Sequence, residues 1–172
     1  MTGAYALSRS AFRDLPGRVQ LPITALVANF PAPAEVVIFL DSQYFRGNCT
    51  ADDYLLALTG CLTAILDRRS TVAIKFHPAE DDAGRKARIM QAVAAVAHVG
   101  DLRELPPDFI GERMACNRDT KVVVGTTALG LYLAERGGQT FSFAPRLAAS
   151  SVRYARLMRQ LPPEFLLLCQ PA

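Results

Sequence analysis

The sequence predicts an α/β domain built on a doubly wound, mostly parallel, Rossmann-like sheet. Between residues 36 and 160, short runs of β-branched and aromatic residues alternate with longer amphipathic segments. The runs at 36–40 and 121–124 are almost continuously apolar, which is typical of strands covered on both faces. A chain of 172 residues is long enough for one domain with a substantial core. Alternating strands and helices favour right-handed crossovers and a parallel sheet.

The strongest apolar runs predict four strands. They are Val36–Leu40, Thr71–Phe76, Lys121–Val124 and Thr140–Phe143, with a shorter candidate at His98-Val99. Helices are predicted to begin at Thr50 and at Asp81-Asp82, where polar side chains cap the first turn. Further helices are expected at 109–116, 127–136 and 150–160, with Gly137-Gly138 as a stop signal after the second of these. Residues 102–107 are predicted to be a proline-terminated connector.

The predicted domain starts after a proline-containing N-terminal segment. Residues 1–34 contain four prolines and are predicted to be a lead-in or linker, whereas residues 35–172 form the α/β domain. The stretch Ile23–Phe30 is apolar and is expected to pack against another part of the protein.

Charge and cysteine content argue against several classes of protein. Nineteen Lys and Arg against sixteen Asp and Glu give a net charge of only +3, so nucleic acid is not an expected partner. The arginines between residues 146 and 159 are interpreted as a solvated helix face. Four cysteines without a CxxC pair or a zinc-ligand spacing are expected to be reduced thiols in a cytoplasmic protein.

Membrane insertion is not predicted. The start of the chain lacks the basic and apolar regions of a signal peptide. No apolar run approaches the roughly 20 residues needed to span a bilayer. Whether the protein associates peripherally with a membrane surface is left open by the sequence.

Candidate ligand-binding residues follow the predicted strands, because open α/β sheets bind ligands at the carboxyl ends of their strands. The turns to consider are Asp41-Ser42-Gln43, His77 to Glu80, and Gly125-Thr126-Thr127. Pro78 biases His77 towards an extended backbone, and an imidazole at this edge can donate a hydrogen bond to a phosphate. The alternative is a histidine that only caps its strand. Lys75 is a weaker candidate, and Glu80 fits a helix start better than a ligand.

The third turn has the features of an anion site. Gly125 permits close approach to the backbone, and Thr126 and Thr127 offer hydroxyls where the next helix exposes unpaired N–H groups. The alternative is that one threonine is only an N-cap, and both roles are compatible. The acidic pairs 52–53 and 81–82 are better explained by capping than by metal binding.

Four segments, in this order, resemble a known family. They are VIFLD (37–41), KFHPAE (75–80), LPPDFIGE (105–112) and VVVGTTAL (122–129). Together they resemble the nucleotide-binding half of bacterial sialyltransferases, in particular the polysialyltransferase and lipooligosaccharide sialyltransferase families, which have the two-lobed GT-B-type architecture. The resemblance covers roughly residues 35–145.

The resemblance implies a CMP-sugar donor, expected to be CMP-sialic acid, and a role for each matching residue. His77 would stabilise the departing phosphate, as hydrogen-bond donor or general acid, with Pro78 in the same motif. Thr126 and Thr127, after Gly125, would bind this phosphate, and Glu112 would reach the ribose hydroxyls. No cofactor or metal is implied, and the absence of a DxD motif fits a metal-independent transfer.

The resemblance also implies a second lobe, which supplies the catalytic base and binds the glycan acceptor. The 34 residues before the first predicted strand are too few to build it, so we expect either a piece of a longer enzyme or a degenerate relative. Whether this chain is itself an enzyme therefore stays open. The alternatives are a non-catalytic Rossmann-like scaffold or partner-binding module, and another nucleotide-sugar enzyme such as an epimerase.

Overall fold

The structure, a computed structural model, describes residues 5–6, 21–22, 30–44, 46–161, 163–168 and 170–171. Its strands are β1 (Tyr5–Ala6), β2 (Leu21–Pro22), β3 (Phe30–Pro31), β4 (Val36–Phe39), β5 (Ser70–Lys75), β6 (Val99–Glu104), β7 (Met114–Ala115), β8 (Lys121–Val124), β9 (Gln139–Ser142) and β10 (Gln170–Pro171). Its α-helices are α1 (Ala51–Ile65), α2 (Ala83–Ala94), α3 (Ala128–Glu135), α4 (Ala144–Ser150), α5 (Val152–Met158) and α6 (Pro163–Leu168).

Six of the strands form one parallel sheet in the order β10-β9-β8-β4-β5-β6. The chain builds the sheet outward from β4 through β5 to β6, then returns to the other side of β4 and continues through β8, β9 and β10. This is the strand order of a doubly wound Rossmann sheet, with its topological switch point between β4 and β8. The predicted α/β, doubly wound, mostly parallel fold is confirmed.

Each face of the sheet carries its own apolar core. Val36 and Ile38 of β4 face α1, α2, α4 and α5, whereas Val37 and Phe39 face α3, α6 and the segment 105–114. All four side chains are almost fully buried. Burial on both faces explains why β4 lacks the polar alternation of a strand with one solvated face.

Local polar contacts fix the ends of three helices. The side chains of Thr50, Asp82 and Thr127 accept backbone N–H bonds at the N-termini of α1, α2 and α3, as N-caps do. Gly137, with a φ of +90°, follows the end of α3. The predicted starts of α1 and α2 and the stop after α3 are confirmed.

Two predicted elements are wrong, and one helix was missed. Residues 109–116 form only a 3₁₀ turn, Gly111–Arg113, before β7. The helix expected at 150–160 is present as α5, and the extended backbone of Ser151 separates it from α4, which was not predicted from the sequence. The strand placed at His98-Val99 is the six-residue β6, which includes half of the predicted connector.

The end of the predicted lead-in packs against the domain. Strand β3 pairs with β7, and the ring centroids of Phe30 and Phe109 lie 5.1 Å apart. Most of the apolar stretch 23–30 lies outside the described residues, and the boundary at residue 35 stays a prediction. None of the helices within the described part of the chain combines the length and the apolar character needed to cross a membrane.

Candidate functional site

The predicted site turns lie side by side at the carboxyl edge of the sheet. In the register of the central strands, Phe39 is level with Lys75 on one side and with Val124 on the other. Asp41 follows Phe39 by two residues. It therefore lies between the turn that contains His77 and the turn that contains Thr126. Because neighbouring strands are about 4.8 Å apart, the two flanking turns are separated by about 10 Å.

Asp41 accepts several hydrogen bonds at this edge. Its side chain is buried and accepts hydrogen bonds from the backbone N–H of Thr126 at 2.9 Å and from the Thr126 hydroxyl at 3.1 Å. The backbone N–H of Gln43 donates at 3.2 Å. Two longer bonds come from Tyr154, at 3.4 Å, and Tyr54, at 3.5 Å. The carboxylate thus joins the turns after β4 and β8 to helices α1 and α5.

The two tyrosines serve Asp41 as donors. Burial, with the nearby Asp41 charge, raises the pKa of Tyr54 and of Tyr154 well above its usual range. Both phenols therefore keep their protons at neutral pH, which a hydrogen bond to the carboxylate requires.

These contacts change the interpretation of Gly125 and Thr126. A Cβ atom at Gly125 would lie 2.0 Å from Oδ2 of Asp41, so the glycine makes room for a carboxylate of the protein itself. The hydroxyl proton and backbone N–H of Thr126 both point to the same carboxylate. Thr126 thus already uses the two donors that a phosphate would need.

Thr127 lies at the N-terminus of α3. Its hydroxyl accepts from the backbone N–H of Leu129 at 3.3 Å, and its carbonyl accepts from Gly130. This is the N-cap role weighed as the alternative for this turn. The hydroxyl proton is not required for capping, so capping and binding of an anion by Thr127 are compatible.

His77 is held by its own turn. The backbone N–H of Ala79 donates to Nδ1 of the imidazole at 3.1 Å, and the N–H of Glu80 donates to the His77 carbonyl at 2.8 Å. An accepting Nδ1 leaves the proton of the neutral ring on Nε2. The imidazole is half-buried and Pro78 is exposed.

Glu80 stabilises the turn that contains His77 through a buried carboxylate. Its side chain is only 4% exposed and accepts from the Asp82 N–H and from Nε of Arg85, both at 3.1 Å. The predicted helix-start role of Glu80 agrees with these contacts. Lys75 donates to the carbonyl of Pro107 at 2.8 Å and so fastens the segment that follows β6; burial lowers its pKa.

A small cavity separates His77 from Asp41. Its volume is about 10 Å³, which is room for roughly one water molecule. Other lining residues include Tyr44, Tyr54 and Glu80. This cavity is therefore too small to hold a nucleotide.

Glu112 reaches this edge from a different part of the chain. It is half-buried in the 3₁₀ turn Gly111–Arg113. A Cβ atom at Gly111 would lie 2.7 Å from the Phe39 ring and 2.8 Å from Leu129, so the turn is seated between the end of β4 and the start of α3. The structure thus places the turn that contains Glu112 beside the first turn of α3.

The arginines from 146 to 159 have exposed side chains on α4, on α5 and just beyond it, as a solvated face requires. Among the described residues, no group of three or more His, Cys, Asp or Glu side chains could hold a metal ion. Comparison of the chain with protein-family models, with curated proteins and with solved structures finds no match.

Proposed function

We propose that this chain is the CMP-sugar-binding lobe of a sialyltransferase-like glycosyltransferase that transfers sialic acid without a metal. One observation supports the proposal above the others. The turns that carry His77 and Thr127 follow the strands on either side of β4 at the carboxyl edge of a Rossmann sheet, and the turn that carries Glu112 packs against the end of β4 and against α3. This is the place where such sheets bind nucleotides.

The proposed mechanism assigns one task to each group. The Nε2–H of His77 donates to a non-bridging oxygen of the CMP phosphate, and Thr127 with the N-terminus of α3 binds the other side of that phosphate. As the glycosidic bond breaks, these donors stabilise the charge that develops on the leaving phosphate. Glu112 accepts hydrogen bonds from the ribose hydroxyls. Thr126 acts through Asp41, which holds the turn in place.

Transfer in this proposal needs an acceptor-binding lobe with a catalytic base, and the reaction takes place in the cytoplasm. A second candidate is a non-catalytic scaffold that kept the fold. It is favoured by one observation, the use of both Thr126 donors by Asp41. The two candidates differ in whether nucleotide binds.

Thermal unfolding in the presence of nucleotides tests the proposal. At a concentration of about 100 times its dissociation constant, CMP should stabilise the fold by about 2.7 kcal/mol, which raises Tm by several degrees. UDP and NAD should raise it much less. His77→Ala should abolish the CMP shift and retain the fold.

The chain's other histidine provides the matched control. His98 lies before β6 with a positive φ of 71°, a conformation that asparagine tolerates, so His98→Asn should keep the full CMP shift. A wild-type protein whose Tm responds to none of the nucleotides would support the scaffold. A CMP shift that survives in His77→Ala would refute the role given to His77.

A further inference from the structure

A buried negative charge lies where the proposed site would receive its phosphate. Asp41 follows β4 at the switch point, and its Oδ2 atom is bound by the backbone N–H and the hydroxyl of Thr126. The next residue, Thr127, caps the helix that would face the phosphate. The carboxylate is therefore a near neighbour of any anion bound to this turn.

The hydrogen bonds stabilise this charge but do not cancel it. All five donors are neutral groups: two backbone N–H groups, one threonine hydroxyl and two tyrosine hydroxyls. None of these donors carries a positive charge that would neutralise the carboxylate. A bound ligand would therefore experience nearly one full negative charge, with part of the separation filled by low-dielectric protein.

We infer that Asp41 is a specificity-determining residue of this site, whose negative charge disfavours nucleotides that carry a second phosphate. The inference rests on the proposed function, because it assumes that a nucleotide phosphate binds at this edge. Two effects act together. The additional phosphate of a diphosphate is repelled by Asp41, and both donors of Thr126 are already bonded to the Asp41 carboxylate.

The test compares nucleotides that differ by one phosphate on the same base. Dissociation constants of CMP, CDP, UMP and UDP are measured by titration calorimetry for the wild type, Asp41→Asn and Asp119→Asn. Asparagine keeps the shape of Asp41 and removes its charge. Asp119 is an exposed carboxylate at the opposite, amino edge of the sheet, so its variant makes the same change in net charge away from the site.

The wild type should bind CMP more tightly than CDP, and UMP more tightly than UDP. Asp41→Asn should reduce both preferences by about five- to tenfold, the size expected from one partly solvated charge, whereas Asp119→Asn should leave them unchanged. The wild-type preference should also weaken between about 0.02 and 0.5 M salt, because salt screens the repulsion. This salt series uses only the wild type, so it tests the repulsion by Asp41 even if Asp41→Asn does not fold.

The outcomes separate the two proposals. Unchanged preferences in a folded Asp41→Asn, or a wild-type preference that salt does not alter, would overturn the inference while CMP binding upholds the proposed function. Equal affinity for CMP and UMP with a strong preference against both diphosphates would overturn the cytidine assignment and uphold the charge rule. No affinity for any of the four nucleotides would overturn both.

Discussion

Gly125 and Gly60 show how differently two glycines of one chain respond to an added methyl group. At Gly125 the new Cβ would meet Oδ2 of Asp41 at 2.0 Å, and neither the buried carboxylate nor its donors can move without breaking hydrogen bonds. At Gly60, inside α1, the nearest atom is Nη1 of Arg146 at 3.2 Å, the far end of a flexible side chain.

We therefore expect opposite effects on stability. Gly125→Ala should lower the free energy of unfolding by about 1–3 kcal/mol, as overpacking does. Gly60→Ala should raise it by up to about 1 kcal/mol, because alanine is the better helix former. Urea denaturation followed by circular dichroism measures both changes. Equal effects of the two substitutions would contradict the close approach of Asp41 to Gly125.

Asp41 is the part of the site that could not be predicted from the sequence. The turns after β4, β5 and β8 were predictable because each follows a buried apolar run. The role of Asp41 was not, because its main partner, Thr126, is 85 residues away in sequence. The sequence does contain a clue, because Gly125 and Thr126 directly follow β8 and Asp41 follows β4. This pattern becomes informative only once β4 and β8 are known to be neighbours in the sheet.

Among the structural elements, the predictable ones are those whose environment is uniform along their length. Strands β4 and β8 have consecutive buried residues on both faces, so composition alone reveals them. Strand β6 has half-buried and exposed residues at the edge of the sheet, and its polar sequence resembles a connector. The segment 109–116 failed to form a helix because Gly111 is packed tightly against Phe39 and Leu129 and β7 pairs with β3.

Helix α2 allows a test of how the turn before it is supported. Arg85 and Arg88 both form ion pairs from this helix, but their partners differ in burial. The side chain of Glu80, which pairs with Arg85, is 4% exposed, whereas that of Asp52, which pairs with Arg88, is 86% exposed. A buried carboxylate that loses its cation is costly, and a solvated one is not.

Arg85→Ala should therefore destabilise the fold clearly more than Arg88→Ala does, because it leaves the buried Glu80 carboxylate without its cation. Arg88→Ala should change stability by no more than about 0.5 kcal/mol. Chemical denaturation of both variants provides the comparison. Similar costs for the two would show that Glu80 does not depend on Arg85.

At the scale of the whole molecule, the strands that create the switch point also lie at the centre of the sheet, between its two apolar cores. Strands β4 and β8 each have a hydrogen-bonded partner on both sides, and their residues contribute to the cores on both faces. Strand β6 has one partner and ends the sheet on its side. The turns of the candidate site therefore extend from the central strands of the sheet.

Hydrogen exchange measured by mass spectrometry should reveal this gradient. Peptides that cover 36–40 and 121–125 should exchange only through global unfolding, because opening either strand disrupts both cores. A peptide that covers 99–104 should exchange at least tenfold faster through local opening of the edge, since its backbone bonds lie close to solvent. Added denaturant should accelerate exchange of the central peptides strongly and that of the edge peptide weakly. If β6 were protected as strongly as β4, the sheet would unfold as one unit and the turns at its carboxyl edge would share the stability of its centre.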